Sequence, residues 1–178
     1  PLTSAAKIQC LNNNHVSIPD NVFHTPIDLT TPSWARSFRD CNNFDESKIT
    51  YCSLLGLTYY LSESDFKHLL GELSTLLSNG SALIFDYPDQ LTFTELAGLR
   101  TQKQLMLAST SGEPMKASYS YKAMEKILSD QGFFIYNHLT PGEITEQYFK
   151  AYNCLCPDKP IKAFDNVNYC LAVKKSSS

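Results

Sequence analysis

The chain has 178 residues, of which 43% are hydrophobic and 19% are charged. This composition predicts a globular protein with a sizeable core and excludes an intrinsically disordered chain. The formal net charge is −3 and no basic cluster precedes Lys174-Lys175, so no nucleic-acid partner is expected. No apolar run reaches the roughly 18 residues that span a bilayer, so no membrane partner is expected either.

The six cysteines and four histidines do not predict a metal site. No C-x-x-C pair occurs, the histidines show no ligand spacing, and Cys154-Leu155-Cys156 has no second pair with which to hold zinc. Cys52 and Cys170 fall in apolar segments, so we expect reduced, structural cysteines. The first residues, PLTSAAKIQC, have neither the charged nor the apolar region of a signal peptide, which predicts a cytoplasmic location.

The first part of the chain predicts a helix end, a strand and a short helix. Residues 1–11 are the helix end, and the apolar residues 22–27 form the strand. The short helix covers residues 32–41, where Trp34 and Phe38 lie one turn apart.

The clearest pattern is a strand, a helix and a second strand within residues 49–87. Residues 49–55 are apolar, which is typical of a strand buried on both faces. Ser62 and Asp65 form an S-x-x-D capping box at a helix start, and Gly80 stands where a left-handed C-cap residue is expected. The apolar face of this helix has helical spacing and consists of Phe66, Leu69, Leu70, Leu73, Leu76 and Leu77.

The second strand of this unit covers residues 81–85 and ends in Asp86-Tyr87. A strand–helix–strand unit of this length predicts a right-handed crossover and a parallel sheet. Ligands of open α/β sheets bind beyond the carboxyl ends of the strands. Residues 55–60 and Asp86-Tyr87 are therefore the first candidates for a ligand site.

The rest of the chain predicts further helices and strands, with a loop at residues 110–117. Thr140, Pro141 and Glu143 supply the N-cap, the first-turn proline and the capping glutamate of the last helix. Gly132 closes the helix before it. The apolar run YCLAV predicts that the last strand is internal to the sheet. The predicted helices cover residues 92–108, 120–131 and 143–153, and the predicted strands cover residues 133–139 and 166–173.

Four segments together resemble a known family. They are the strand ending in LGLTYYL with its capped helix and NGSALIFDY, the segment VFHTPIDL, the turn SGEPMK, and the late QGFFIYNHLTPGEITEQY. In this order and spacing, to about Tyr148, they resemble the S-adenosylmethionine-dependent methyltransferases related to the leucine carboxyl methyltransferases. That group includes polyketide O-methyltransferase-like bacterial proteins.

The resemblance implies an α/β fold with the Rossmann-like sheet of class I methyltransferases. The sheet lacks its first two strands, because the glycine-rich turn and the ribose-binding acid of a complete domain do not occur here. Residues 1–175 are expected to be the C-terminal part of such a domain, whose N-terminal half is then the missing partner, and residues 176–178 a flexible tail. A second chain carrying that half, or a degenerate relative, are the alternatives. The last strand is expected to run antiparallel between residues 81–85 and 133–139.

The resemblance also implies S-adenosylmethionine as cofactor. Asp28 would accept a hydrogen bond from the adenine amine and Leu29 would pack on the ring, although Asp28 has the alternative of capping the next helix. Leu54, Leu55 and Gly56 would lie under the methionine part, since glycine lets backbone approach a ligand. Many family members carry Trp-Glu-Gly here, and Leu55 replaces that glutamate.

Substrate contacts are expected from Tyr59, Tyr60, Asp86 and Tyr87. One of the two adjacent tyrosines has the alternative of a buried residue at the helix entry, and the sequence does not say which. Asp86 has the alternative of capping a turn before Pro88. His138 is a candidate base or an ordinary surface histidine.

The predicted function is the substrate-side part of an O- or carboxyl-methyltransferase that acts on a small molecule or a carboxylate. The fragment alone is expected to be inactive. A carboxylate needs no general base at neutral pH, whereas a phenol or enol does. The alternatives are a degenerate, non-catalytic domain that binds a protein partner, and another α/β enzyme. The latter is disfavoured because neither a G-x-S-x-G elbow nor a P-loop occurs.

Overall fold

The computed structural model describes residues 2–29, 31–32, 34–40 and 44–176. The chain divides into two compact units, residues 1–47 and residues 48–178, and each is described by itself. The predicted helix end at Cys41 and the tail residues Ser177 and Ser178 lie outside the described residues. Within the described ranges, no helix is long and apolar enough to cross a membrane, and no three histidine, cysteine or acidic side chains are grouped to hold a metal ion.

The first unit contains two helices. Helix α1 covers Leu2–Asn13 and helix α2 covers Trp34–Arg39, with Trp34 and Ala35 buried. The strand predicted for residues 22–27 is wrong, because this segment pairs with no strand among the described residues. An apolar, β-branched run becomes a strand only where a neighbouring strand takes up its backbone hydrogen bonds.

The second unit is built on a four-stranded sheet with the order β1-β2-β4-β3. Its strands are β1 (Tyr51–Leu54), β2 (Ala82–Pro88), β3 (Phe133–Leu139) and β4 (Val167–Lys174). Strands β1 and β2 are parallel, whereas β4 runs antiparallel to both β2 and β3. The prediction of an internal, antiparallel last strand is therefore confirmed.

Strand β1 differs from the prediction of a strand buried on both faces. It is shorter than predicted and pairs only with β2 within the described sheet. Ile49 is 74% exposed and Tyr51 is 63% exposed. An apolar run alone does not show whether a strand has neighbours on one side or on both. The sequence therefore did not predict that β1 lies at the edge of the described sheet.

The helix between β1 and β2 follows its sequence signals closely at its start. Helix α3 covers Glu63–Leu76, and Ser62 and Asp65 form the complete predicted capping box. The helix ends before the predicted cap: Leu77 is its C-cap residue, with an extended ψ of 144°. Gly80 does have a left-handed φ of +83°, but it lies in the turn that leads into β2.

The next helix starts later than predicted. Helix α4 covers Leu99–Thr110, with Gly98 as its N-cap residue. The preceding residues form turns, because the Asp89 carboxylate accepts the Leu91 N–H at 2.9 Å and the Thr94 hydroxyl accepts the Leu96 N–H at 3.2 Å. Such local bonds compete with helical ones.

The remaining helices agree with the sequence signals. Helix α5 covers Tyr121–Asp130 and is followed by Gly132 with a φ of +80°. The last predicted helix is present in three consecutive parts: α6 (Pro141–Ile144), a π-helical turn at Thr145–Phe149, and α7 (Lys150–Leu155). Thr140 and Glu143 form the predicted capping box.

Candidate ligand site at the carboxyl edge of the sheet

The carboxyl ends of β1, β2 and β3 lie at one edge of the sheet. Strand β4 is antiparallel to β2 and to β3, so its amino-terminal end lies at the same edge. Tyr169 on β4 stands opposite Asp86 on one side and opposite Leu139 on the other. This edge therefore brings together the candidates at residues 55–60 and Asp86-Tyr87.

Asp86 connects β2 to the turn that follows β1. Its Oδ1 accepts the Gly56 N–H at 2.7 Å, and its Oδ2 accepts the Tyr59 hydroxyl at 2.7 Å. The Thr58 hydroxyl donates to the Asp86 backbone carbonyl. Asp86 is only 8% exposed, so its carboxylate is largely buried and both of its oxygens are hydrogen-bonded within the protein.

Asp86 itself lies inside β2, which continues to Pro88. The alternative that Asp86 caps a turn before Pro88 is therefore wrong. Its direct contact with a substrate stays a prediction.

Tyr59 is the buried member of the adjacent tyrosine pair. It is 5% exposed and packs with Ala108, Met115 and Val167. Burial, and then the hydrogen bond to Asp86, raise the pKa of the Tyr59 phenol well above its usual value. Tyr59 therefore stays protonated and donates to the carboxylate.

Tyr60 lies at the surface of the same edge, between two shallow pockets. Its hydroxyl group has no hydrogen-bond partner among the described residues. One pocket, of about 410 Å³, is lined by Leu57, Tyr60, Gly112, Glu113, Pro114 and Lys116. The other, of about 440 Å³, is lined by Tyr60, Gln104, Leu107, Ala108, Thr110 and Ser111.

The loop after α4, residues 111–116, packs and hydrogen-bonds against this edge. Gly112 adopts a left-handed φ of +81°, Met115 is buried beside Tyr59, and the Lys116 N–H donates to the Tyr59 carbonyl at 2.8 Å. The turn SGEPMK thus forms one wall of the pocket at Tyr60. Sequence reasoning did not assign Glu113 or Lys116 to the site, and only the resemblance of this turn to the family hinted at it.

Tyr87 is fully buried and forms a hydrogen bond with His138. Its hydroxyl oxygen lies 2.8 Å from His138 Nε2. The His138 ring packs edge-on against Tyr121 with centroids 4.9 Å apart. Burial lowers the pKa of His138, and the nearby Glu143 carboxylate opposes this only in part. A neutral imidazole bonded to a neutral phenol results.

Leu54, Leu55 and Gly56 end β1 and form its following turn. Leu55 is 54% exposed. Gly56 has a φ of +73°, and a Cβ atom placed on it would meet no atom within 4 Å. An exposed apolar side chain and an open glycine at a strand end leave room for a ligand to approach the backbone.

Asp28 and Leu29 belong to the first unit. The Asp28 carbonyl accepts the Thr31 hydroxyl at 2.8 Å. Helix α2 begins only at Trp34, so Asp28 is not in the position of its N-cap and that alternative is wrong. The grouping of Asp28 and Leu29 with the sheet edge around one cofactor stays a prediction.

Comparison with known proteins identifies the relatives of this chain. The family model for leucine carboxyl methyltransferase matches residues 1–74. YktD of Bacillus subtilis (strain 168), a proposed S-adenosyl-L-methionine-dependent methyltransferase, is 31% identical over 176 residues. Residues 1–74 are therefore similar to the leucine carboxyl methyltransferase family. This agrees with the resemblance seen in the sequence. The alignment covers 98% of this chain and 56% of YktD, so the chain spans little more than half of that relative.

Solved structures support the same fold. An O-methyltransferase family protein from Burkholderia thailandensis is similar over 100% of this chain and 42% of its own, with a TM-score of 0.59 and 12% identity. Mitomycin 7-O-methyltransferase MmcR is similar over 98% of this chain and 40% of its own, with a TM-score of 0.57 and 12% identity. The chain therefore shares the α/β, Rossmann-like fold of these two proteins.

Proposed function

We propose that this chain supplies the acceptor side of an S-adenosylmethionine-dependent methyltransferase, which methylates an oxygen of a small molecule or a carboxylate. The observation that carries this proposal is the match to the leucine carboxyl methyltransferase family over residues 1–74. That segment contains Asp28 and Leu29 as well as the turn after β1. No observation on the described residues favours a non-catalytic, protein-binding role.

The residues at the end of β1 fit the methionine part of S-adenosylmethionine. The open space at Gly56 lets backbone approach a ligand, and the exposed Leu55 offers an apolar contact. We assign the adenine ring to Asp28 as hydrogen-bond acceptor and to Leu29 as packing partner. When bound, the cofactor supplies a sulfonium methyl group that is already electrophilic.

The residues of the chain then have to bind and orient the acceptor, because proximity and alignment supply most of the rate enhancement of such a displacement. Tyr60 is the best-placed side chain, since its hydroxyl is unbonded and it borders both pockets. Leu57 and Pro114 add apolar contacts. Glu113 and Lys116 add one charge of each sign at the rim.

The hydrogen bonds at this edge favour a carboxylate acceptor. Both oxygens of Asp86 already accept hydrogen bonds, and Nε2 of His138 is bonded to Tyr87. Both groups are therefore already bonded to the protein, which disfavours either of them as the base that removes a proton from a phenol. A carboxylate is ionised at neutral pH and attacks without a base.

Calorimetry with S-adenosylhomocysteine tests the proposal. The protein produced from its whole reading frame should bind this product, and the 178-residue chain alone should bind it weakly or not at all and show no turnover. Absence of binding by the whole protein would contradict the proposed function. Micromolar binding by the 178-residue chain would show that the site is assembled differently.

The variant Tyr60→Phe tests the acceptor side. Because the hydroxyl makes no hydrogen bond within the described structure, the melting temperature and the affinity for S-adenosylhomocysteine should stay at wild-type values. Transfer of a labelled methyl group to an accepted substrate should fall about tenfold, as for the loss of one hydrogen bond to a charged group. Wild-type turnover would remove Tyr60 from the site.

A further inference from the structure

We infer that Asp86 is a positioning residue, which acts on methyl transfer through Gly56 and Tyr59 rather than by touching the acceptor. The inference rests on the proposed function, because Gly56 is assigned there to the methionine part of the cofactor. It replaces the expectation that Asp86 contacts the substrate directly.

The first argument is that both carboxylate oxygens already accept a hydrogen bond from the protein and that the side chain is largely buried. The Gly56 nitrogen and the Tyr59 hydroxyl oxygen each lie 2.7 Å from one of its two oxygens. Asp86 is only 8% exposed. Hydrogen bonds to an ionised acceptor are about twice as strong as those between neutral groups. Because Asp86 is largely buried, its oxygens offer a substrate little access, whereas the two protein donors are held in place.

The second argument is that all three donors to Asp86 belong to one turn. Gly56, Thr58 and Tyr59 follow directly on β1, whereas Asp86 lies on the neighbouring strand. Gly56 in this turn has a left-handed backbone conformation, and the side chain of the preceding Leu55 is exposed. An anion on β2 therefore fixes the direction of the Gly56 peptide group.

The third argument is that the same carboxylate also influences the acceptor side. It fixes the Tyr59 ring, which contacts the Tyr60 ring with centroids 6.2 Å apart. The Tyr59 carbonyl in turn accepts the Lys116 N–H of the pocket wall. One buried charge thus aligns the backbone proposed for the donor with the side chains proposed for the acceptor.

The test is the dissociation constant of S-adenosylhomocysteine, measured without any acceptor on the protein from its whole reading frame. Asp86→Asn keeps the shape but loses the charge, and should weaken binding about threefold, whereas Asp86→Ala should weaken it tenfold or more. Tyr59→Phe removes one donor and should weaken binding less than Asp86→Ala. In the double variant Asp86→Asn, Tyr59→Phe, the two effects should not add, because both act on one hydrogen-bonded group.

Thr101→Val is the matched control. Thr101 is 3% exposed and donates from its hydroxyl to the Asp165 carbonyl at 2.8 Å, away from this turn. This variant should lower the melting temperature and leave the dissociation constant unchanged. If Asp86 acted only through stability, the affinity for S-adenosylhomocysteine would fall in proportion to the melting temperature in every variant, including Thr101→Val.

The outcomes separate the two claims. If the wild-type protein does not bind S-adenosylhomocysteine, the proposed function fails. If the wild-type protein binds and Asp86→Asn binds equally well, the positioning role is wrong while the proposed function stands. Asp86→Asn and Tyr59→Phe decide the question even if Asp86→Ala does not fold.

Discussion

At the scale of single residues, the polar groups at the carboxyl edge of the sheet bond to partners far away in the sequence. Asp86 bonds to Gly56 and Tyr59, and Tyr87 bonds to His138. The sequence predicted each of these residues as a site candidate because each lies at or after the end of a strand. It did not predict which residues bond to each other, since this depends on strand register and on side-chain direction. Burial raises the pKa of the Tyr59 and Tyr87 phenols and lowers the pKa of His138.

His138 gives a pH dependence of stability with a defined direction. Its unfolded-state pKa is about 6.5, and burial lowers the folded-state pKa. Between the two values the unfolded chain binds more protons, so acid favours unfolding. The stabilisation is complete above about pH 6.5 and is lost as the pH falls towards the folded-state pKa.

Chemical denaturation of the wild type and of His138→Gln between about pH 5 and 7.5 measures this effect. The variant cannot titrate at this position, so the difference in unfolding free energy should grow with pH in favour of the wild type. The capping carboxylates Asp65 and Glu143, whose pKa values are lowered by their hydrogen bonds to Ser62 and Thr140, lose their contribution only at lower pH. A difference that stays constant with pH would contradict the prediction.

At the scale of elements, local signals predicted where helices begin more reliably than where strands are buried. The capping boxes at Ser62 and Thr140 are formed as expected, because all their atoms lie within four residues of each other. The apolar run before Gly56 predicted a strand but not its exposed edge. The late start of α4 at Leu99 depends on Asp89, which also accepts two hydrogen bonds from the Asn166 amide. That partner is distant in sequence, so no local pattern reveals it.

Substitution by alanine should change the stability of the protein in opposite directions at two glycines, Gly98 at the N-cap of α4 and Gly71 inside α3. A Cβ on Gly98 would lie 2.6 Å from Asp165 Cβ, and Gly98 N–H already donates to Asn166 Oδ1 at 2.8 Å. Gly98→Ala should therefore displace the segment before β4 and destabilise the protein by about 1–3 kcal/mol.

Gly71, inside α3, is the matched counterpart. Its Cβ would meet only the flexible end of Gln131, at 3.1 Å from Oε1, which can rotate away. Gly71→Ala should stabilise the protein by about 0.5–1 kcal/mol through a lower entropy of the unfolded chain. Urea unfolding of both variants checks the pair, and equal shifts of the two midpoints would refute the prediction.

At the scale of the whole molecule, the boundary between the two compact units falls within the family match. The units are residues 1–47 and 48–178, and the match covers residues 1–74. The overall sheet order was predictable because an internal last strand and the family resemblance point to the same topology. The absence of a strand at residues 22–27 was not predictable, because strand formation depends on neighbouring strands that these residues do not specify.

Asp28→Ala tests whether the first unit contributes to the cofactor site. In the protein from its whole reading frame, the loss of one adenine hydrogen bond should weaken binding of S-adenosylhomocysteine by about 0.5–1.5 kcal/mol. The melting temperature should fall by less than the loss of a helix cap would cause, since Asp28 is not in the N-cap position of α2. Calorimetry and thermal unfolding on the same samples decide between the two roles. A lower melting temperature with unchanged affinity would make Asp28 a structural residue.

The position of β4 has a consequence for how the sheet is completed during synthesis. Strands β2 and β3 do not pair with each other, and both pair with β4. Since β4 comes after both of them in the chain, β3 has no partner strand in the described sheet until Val167–Lys174 has left the ribosome. A nascent chain stalled before Val167 should therefore expose the edges of β2 and β3 at once, and protection by a chaperone or rapid completion of the chain would be needed to prevent strand-mediated aggregation.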